Sequence, residues 1–145
     1  MELTNAAEIL LVEDNPRDAE MALRALKKQN IDSGILWLRD GEQALDYVEA
    51  TGPYAGRAAG HPRVVLLDLK MPKVDGFAVL QRLKGSEKTR GIPVVVLTSS
   101  AEQSDLLESY RLMANSYLVK PVDYDNFVES VGQAGIYWTQ TNQVP

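Results

Sequence analysis

Residues 64–76 read VVLLDLKMPKVDG, an apolar run that ends at an acidic residue and is followed by a segment containing proline and glycine. Four consecutive large apolar residues before Asp68 are typical of a strand that is buried on both faces, as in a parallel sheet. Residues 94–97 read VVVL and also run into polar residues. The two stretches predict buried strands whose carboxyl ends carry polar side chains.

Outward from these stretches, short β-branched runs alternate with amphipathic segments. Strands are predicted at residues 9–12, 35–38, 64–67, 94–97 and 117–119, and helices at about 16–30, 41–50, 76–84, 101–113 and 123–138. This alternation predicts an α/β fold, in which helices pack on both faces of a parallel sheet. The connection at residues 51–63 is unusually long and predicts a surface loop; its His61 lies away from every strand end, so no catalytic role is expected.

Length and composition favour one domain over residues 1–145, with a core at about 8–138 and a flexible tail at 139–145. The net charge of −5 opposes binding to nucleic acid or anionic lipid. No apolar run approaches the roughly 20 residues that cross a bilayer, so no membrane association is expected. The absence of cysteine fits a reducing compartment, and the cytoplasm is the predicted location.

Acidic residues follow two of the predicted strands. Glu13 and Asp14 come after the first strand, and Asp68 comes after the third. Loops at the carboxyl ends of parallel strands form the ligand crevice of such sheets, so these three carboxylates are expected to converge. Their repulsion is relieved either by a raised pKa on one of them or by a bound cation. Because the available ligands are all oxygens, Mg²⁺ is the predicted cation.

Hydroxyl and ammonium groups follow the last two strands. Thr98 and Ser99 come after the fourth strand, and Lys120 comes after the fifth. Hydroxyls hydrogen-bond phosphoryl oxygens and an ammonium group pairs with them. A carboxylate surrounded by such groups is a competent nucleophile for forming an aspartyl phosphate. Taken singly, however, each residue is as well explained by helix capping or surface polarity.

Four motifs together resemble the receiver domains of two-component response regulators. They are VEDN at 12–15, DLKMPKVDG at 68–76, LTSS at 97–100 and YLVKP at 117–121. The resemblance covers about residues 8–138 and implies a flavodoxin-like (βα)5 doubly wound sheet with strand order 2-1-3-4-5. It also implies a phosphorelay function in which a histidine kinase or phosphotransfer protein is the partner.

Site roles follow from the resemblance residue by residue. Asp68 would be the phospho-acceptor, and Thr98 and Lys120 would hold the phosphoryl group. The implied metal ligands are Glu13, Asp14, Asp68 and the backbone carbonyl of Lys70, with Mg²⁺ bound and Mn²⁺ able to substitute. Structural roles are implied for Pro72, Gly76 and Pro121, the last through a Lys120–Pro121 peptide bond that is typically cis in the family.

The resemblance further implies a switch and an output surface. Phosphorylation would draw in Thr98, and Tyr117 would fill the vacated space, although an aromatic residue in a strand also suits simple core packing. Output would pass through the surface of the fourth helix, fifth strand and fifth helix. The chain further resembles small regulators paired with phytochrome-type kinases, which form homodimers through that surface. Aromatic residues in or near it are Tyr110, Tyr124, Phe127, Tyr137 and Trp138.

Two alternatives remain open from the sequence. A flavodoxin-like sheet can bind a flavin, although the acidic EDNPRD segment at residues 13–18 suits a flavin phosphate poorly. A receiver-shaped interaction module that no longer accepts phosphate is the other alternative. In the receiver interpretation the chain catalyses only its own phosphorylation and dephosphorylation, so it is not expected to be an enzyme.

Overall fold

Five parallel strands form one sheet in a computed structural model that describes residues 6–31, 34–120 and 123–144. The strands are β1 (Ile9–Val12), β2 (Ile35–Leu38), β3 (Val64–Leu67), β4 (Val94–Thr98) and β5 (Ser116–Val119), in the order β2-β1-β3-β4-β5. The helices are α1 (Pro16–Lys28), α2 (Gly41–Glu49), α3 (Gly76–Lys84), α4 (Gln103–Arg111) and α5 (Tyr124–Ile136). The predicted flavodoxin-like fold and strand order are confirmed.

The alternating side chains of the strands build two cores, one on each face of the sheet. Leu10, Val12, Val65 and Leu67 face α2 and α3, and Leu69 joins the same cluster. On the other face the buried residues come from the strands and from α1 and α5; they are Ile9, Leu11, Val64, Leu66, Val95, Leu97, Ala19, Ala22, Ala25, Leu26, Phe127, Val128 and Val131. Strands buried on both sides explain why their sequences are continuous apolar runs.

Polar residues after the strands also begin the helices. Asn15 caps α1 by accepting hydrogen bonds from the amides of Arg17 and Asp18, and Pro16 occupies the first turn. Asp40 and Asp75 cap α2 and α3 in the same way. The strand-to-helix loops are therefore fixed at the end of the sheet where the acidic residues lie.

Some observed helix ends differ by one or two residues from the predicted ones; α1, for example, ends at Lys28. The fourth helix, predicted over residues 101–113, spans Gln103–Arg111, and at its carboxyl end Met113 adopts a left-handed backbone (φ 74°) that prevents the helix from continuing. Beyond α5, a π-helical turn spans Tyr137–Thr141 and enters the predicted tail. There the Thr139 hydroxyl donates to the carbonyl of Gly135, which extends the helical hydrogen bonding.

The long connection between α2 and β3 is organised around one arginine. Its guanidinium donates to the carbonyls of Tyr47, Val48, Ala58 and Gly60, and Arg57 also stacks on the Tyr47 ring. A short 3₁₀ helix at Gly52–Tyr54 opens this loop. In the part of the chain that the structure describes, no helix is long and apolar enough to span a membrane.

Candidate functional site

Three carboxylates meet at the carboxyl ends of β1 and β3. These strands are adjacent and in register, with Val12 opposite Leu67, so the residues that follow them are brought together. One oxygen from each of Glu13, Asp14 and Asp68 lies within 4.8 Å of the others. Glu13 and Asp68 are buried and Asp14 is partly buried. The predicted convergence is therefore present, and its oxygen donors suit a hard divalent cation.

Lys120, which follows β5, extends into this acidic cluster. Its Nζ lies 2.5 Å from Glu13 Oε1, 2.9 Å from Asp18 Oδ2 and 3.6 Å from Asp68 Oδ2. The lysine side chain is only 8% exposed. A buried ammonium group needs such anionic partners to offset the loss of its hydration. Lys120 thus supplies the cationic charge that lies nearest to Asp68.

The burial of these groups shifts their protonation equilibria. Burial, together with the charge of Asp68, raises the pKa of Glu13 from 4.5 to about 8, against the lowering effect of its hydrogen bond with Lys120. Burial alone would lower the pKa of Lys120, but its hydrogen bonds with Glu13 and Asp18 raise it above the ordinary value. Lys120 therefore keeps its positive charge, and burial favours the protonated form of Glu13.

Thr98 ends β4 and is fully buried. Its hydroxyl oxygen accepts a hydrogen bond from the amide of Ser100 at 3.3 Å, and its carbonyl accepts one from the amide of Lys120 at 2.7 Å. The β4–α4 loop and the end of β5 are thereby joined beside the carboxylates. Ser99 is exposed and makes no described side-chain contact with the cluster.

Tyr117 lies in β5 with its ring against the core cluster of α2 and α3. Its hydroxyl donates to the carbonyl of Ser100 at 2.9 Å. Burial raises the pKa of Tyr117, so the hydroxyl remains a donor at neutral pH. The ring therefore contacts the loop that begins at Thr98, which is the arrangement a coupled Thr98–Tyr117 pair needs.

The acceptor loop, residues 69–75 between β3 and α3, is held close to Asp68. The amide of Lys70 lies 3.4 Å from Asp68 Oδ1. A Cβ atom at Gly76 would stand 2.3 Å from the carbonyl oxygen of Asp68, so only glycine fits there. Pro72 is exposed. Pro121 lies outside the described residues, as does the isomer of the bond that precedes it.

Three further residues contribute to the site and are absent from the sequence prediction. Asp18 hydrogen-bonds Lys120, and the indole of Trp37 donates to the carbonyl of Glu13 at 2.8 Å. A Cβ at Gly41 would lie 2.1 Å from the carbonyl oxygen of Val74, so Gly41 allows α2 to approach the acceptor loop. Asp18 lies in the first turn of α1, shortly after Glu13 and Asp14, and this closeness in the sequence is the one signal that points toward the site.

The aromatic residues near the fourth and fifth helices separate into two groups. Phe127 belongs to the core and Trp138 packs against it. Tyr110, Tyr124 and Tyr137 are exposed by nearly half of their surface. Leu107 of α4 and Val119 of β5 are also exposed. We call Leu107, Tyr110, Val119 and Tyr124 the output surface.

Comparison with known proteins agrees with this geometry. The family model of the response regulator receiver domain matches residues 9–132. The chain belongs to the response regulator receiver family, which acts in two-component signalling and is generally non-catalytic. Phosphorylation and Mg²⁺ binding are standard for this family. The match favours a receiver over the flavin-binding alternative.

Relatives resemble the chain over nearly its whole length. FilR2 of Methanothrix harundinacea, a probable methanogenesis regulatory protein, is 44% identical over 94% of this chain and 86% of its own. Response regulator Rcp1 of Synechocystis is 36% identical over 94% of this chain and 92% of its own, and its Mn²⁺-bound crystal structure superposes with a TM-score of 0.87. The phosphorylated cyanobacterial phytochrome response regulator RcpA is 34% identical, with a TM-score of 0.88 over 97% of this chain and 99% of its own.

Proposed function

We propose that Asp68 accepts a phosphoryl group from the phosphohistidine of a histidine kinase or phosphotransfer protein. The observation that carries this assignment is that Asp68 lies between two acidic neighbours and the Lys120 ammonium, 3.6 Å away. An Asp68 carboxylate oxygen would attack phosphorus and form a P–O bond. The P–N bond to the donor imidazole would break, and the imidazole would keep the electron pair.

The three carboxylates fit a divalent metal, and we assign its binding to Glu13, Asp14, Asp68 and the Lys70 backbone carbonyl. The oxygen-only donors favour Mg²⁺, and the Mn²⁺-bound form of Rcp1 supports Mn²⁺ as a substitute. Such a metal, when bound, supplies positive charge that offsets the incoming phosphoryl oxygens. Glu13 would then be ionised, because a ligated carboxylate has lost its proton.

Lys120 and Thr98 are assigned to the phosphoryl oxygens. The ammonium of Lys120 is already oriented toward Asp68 and is held in place by Glu13 and Asp18. The Thr98 hydroxyl is buried beside the same strand ends and would donate to a phosphoryl oxygen. These groups position and neutralise the phosphoryl group, so the chain catalyses its own phosphorylation and dephosphorylation but turns over no separate substrate.

Intact-protein mass spectrometry after incubation with phosphoramidate tests the acceptor assignment. Wild-type protein with Mg²⁺ is expected to gain one phosphate, whereas Asp68→Asn and a chelator-treated sample gain none. The matched control is Asp75→Asn, an exposed aspartate of the acceptor loop, which should gain phosphate as the wild type does. If wild-type protein gains no mass, the alternative of an interaction module that does not accept phosphate replaces this proposal.

We propose that phosphorylation of Asp68 is communicated to partner proteins through Tyr117 and the output surface. A phosphoryl group on Asp68 would draw the Thr98 hydroxyl inward, and the Tyr117 ring would be stabilised in the space beside it. The hydrogen bond of Tyr117 with Ser100 supports this role, because Ser100 also contacts Thr98. Tyr117 thus connects the buried site with the strand that carries Val119.

A second copy of the chain is the proposed occupant of the output surface. Its exposed apolar side chains favour association over solvation, and closed dimers form through self-complementary patches. Analytical ultracentrifugation is expected to show a dimer that Tyr110→Lys dissociates. Tyr137→Lys is the matched control, because Tyr137 has the same exposed fraction of 48% and follows α5 at the end opposite to Tyr124. A monomeric wild type, or equal effects of both variants, would contradict the dimer.

The kinase partner is proposed to be phytochrome-type, on the strength of the similarity to RcpA. We also propose that residues 1–145 form one receiver domain. It would act in the cytoplasm through contacts with other proteins and would bind neither nucleic acid nor a membrane. Phosphotransfer from a phytochrome kinase, compared with an unrelated histidine kinase at equal concentration, checks the pairing. Faster transfer from the unrelated kinase would contradict it.

A further inference from the structure

Asp105 in the first turn of α4 contacts the loops on both sides of the phosphorylation site. Its Oδ2 lies 3.4 Å from the Nζ of Lys70 in the acceptor loop. The same oxygen accepts a hydrogen bond from the Ser100 hydroxyl at 2.5 Å. Lys70 stands two residues after Asp68, and Ser100 stands two residues after Thr98. One carboxylate of α4 therefore joins the segments that follow both residues.

The two contacts of Asp105 differ in strength. Its side chain is 13% exposed, and the hydrogen bond from Ser100 and the charge of Lys70 hold its pKa below the ordinary value, although burial opposes this. Lys70, by contrast, is 63% exposed and has a long, flexible side chain. Ion pairs with one solvated partner contribute little to stability. The Ser100 contact is therefore the fixed one, and the Lys70 contact is easily exchanged.

Phosphorylation at Asp68 would place a stronger partner near Lys70. A phosphoryl group brings nearly two negative charges and three acceptor oxygens. The backbone amide of Lys70 lies 3.4 Å from Asp68 Oδ1, and its long, exposed side chain, which contacts Asp105, is free to turn toward the new charge. Charge-assisted hydrogen bonds to a phosphoryl group are stronger than a solvent-exposed lysine–carboxylate pair.

We propose that Asp105 competes with the phosphoryl group for Lys70, so that phosphorylation of Asp68 frees α4 from the acceptor loop while Ser100 stays bound to Asp105. This inference rests on the proposed function of Asp68. It assigns Asp105 as a positioning residue that opposes the phosphorylated state. It also gives α4 a connection to the site that is separate from the contact between Tyr117 and Ser100.

A double-mutant cycle measures the competition directly. The probe is beryllofluoride, which mimics a phosphoryl group on an aspartate, and its binding is followed by fluorine NMR at fixed Mg²⁺. Asp105→Asn removes the charge, while its amide oxygen still accepts the hydrogen bond from Ser100. Because a competitor worth below about 1 kcal/mol is removed, the affinity for beryllofluoride should rise by about two- to fivefold. In the Lys70→Met background the same substitution should change the affinity by less than about 1.5-fold, since there is no lysine left to release.

The control separates competition for Lys70 from the general loss of a negative charge. Glu102→Gln removes one charge from the same end of α4, and Glu102 is exposed and forms no described ion pair with Lys70. It should leave the affinity nearly unchanged. If Asp105→Asn matches Glu102→Gln, or if its effect persists without Lys70, the competition is overturned and the acceptor role of Asp68 stands. If wild-type protein binds no beryllofluoride and gains no phosphate, both proposals are overturned.

Discussion

Lys120 and Glu13 are hydrogen-bonded, Nζ to Oε1 at 2.5 Å, although they lie 107 positions apart in the chain. Both side chains are almost inaccessible to water, at 8% and 3% exposure. Among the described residues, Lys120 is the one cation whose Nζ lies within 4.0 Å of the Glu13 and Asp68 carboxylates. Replacing Lys120 should therefore lower the free energy of unfolding, because the buried carboxylates lose their positive partner.

Lys120→Met is expected to destabilise the metal-free protein by about 2–4 kcal/mol at pH 8, because it leaves buried carboxylates without a positive partner. At pH 5 the loss should be smaller, since Glu13 takes up a proton. Chemical denaturation at the two pH values measures both free energies of unfolding. Lys73→Met is the control, because Lys73 is an exposed lysine of the acceptor loop, and it should cost below about 1 kcal/mol. Equal losses for the two variants would contradict the account.

The stability of the metal-free protein should fall as pH rises from about 4.5 to about 8. Burial raises the pKa of Glu13 to about 8, so in this window the folded protein holds a proton that the unfolded chain has released. Because the native state then binds more protons, each rise in pH favours unfolding. Denaturation in the presence of a chelator measures the slope, and Glu13→Gln should flatten it. If Glu13→Gln leaves the slope of the unfolding free energy against pH unchanged, another titrating group causes the pH dependence.

Trp37 should report metal binding, because its indole donates to the carbonyl of Glu13. Mg²⁺ is expected to change the fluorescence of Trp37 and to raise the melting temperature. In Asp14→Asn, both responses should require an Mg²⁺ concentration at least about tenfold higher. Trp138→Phe removes the other tryptophan, which packs beside α5, and should leave the response intact. A fluorescence response that disappears in Trp138→Phe would place the metal elsewhere.

Most of the fold follows from local pattern, since strands buried on both faces require continuous apolar runs such as residues 64–67. The acidic cluster is equally predictable, because parallel strands bring the residues after them to one edge. The contacts of Asp18 with Lys120, of Trp37 with the Glu13 carbonyl and of Asp105 with Lys70 are not predictable in this way, since each joins groups that are distant in the chain. The early end of α4 depends on the left-handed backbone of Met113, a conformation that methionine rarely adopts.

Gly41 illustrates a position whose importance only the packing reveals. A methyl group there would lie 2.1 Å from the carbonyl oxygen of Val74 and 2.8 Å from Val79 Cγ2. Gly41→Ala is therefore expected to cost about 1–3 kcal/mol and to slow phosphorylation by displacing the acceptor loop. Thermal melting and the rate of mass gain with phosphoramidate measure the two effects. Gly91→Ala is the control, because a Cβ added at Gly91 would have no neighbouring atom within 4 Å, and it should change neither quantity. Equal behaviour of the two variants would contradict this packing.

The central claim is that Asp68, and neither acidic neighbour, carries the phosphoryl group. Borohydride reduces an aspartyl phosphate to homoserine with release of phosphate, and peptide mass spectrometry then locates the modified residue. After treatment with phosphoramidate and Mg²⁺, homoserine is expected at position 68 in wild-type protein and nowhere in Asp68→Asn. Homoserine at position 14, or a reduced glutamate at position 13, would contradict the account.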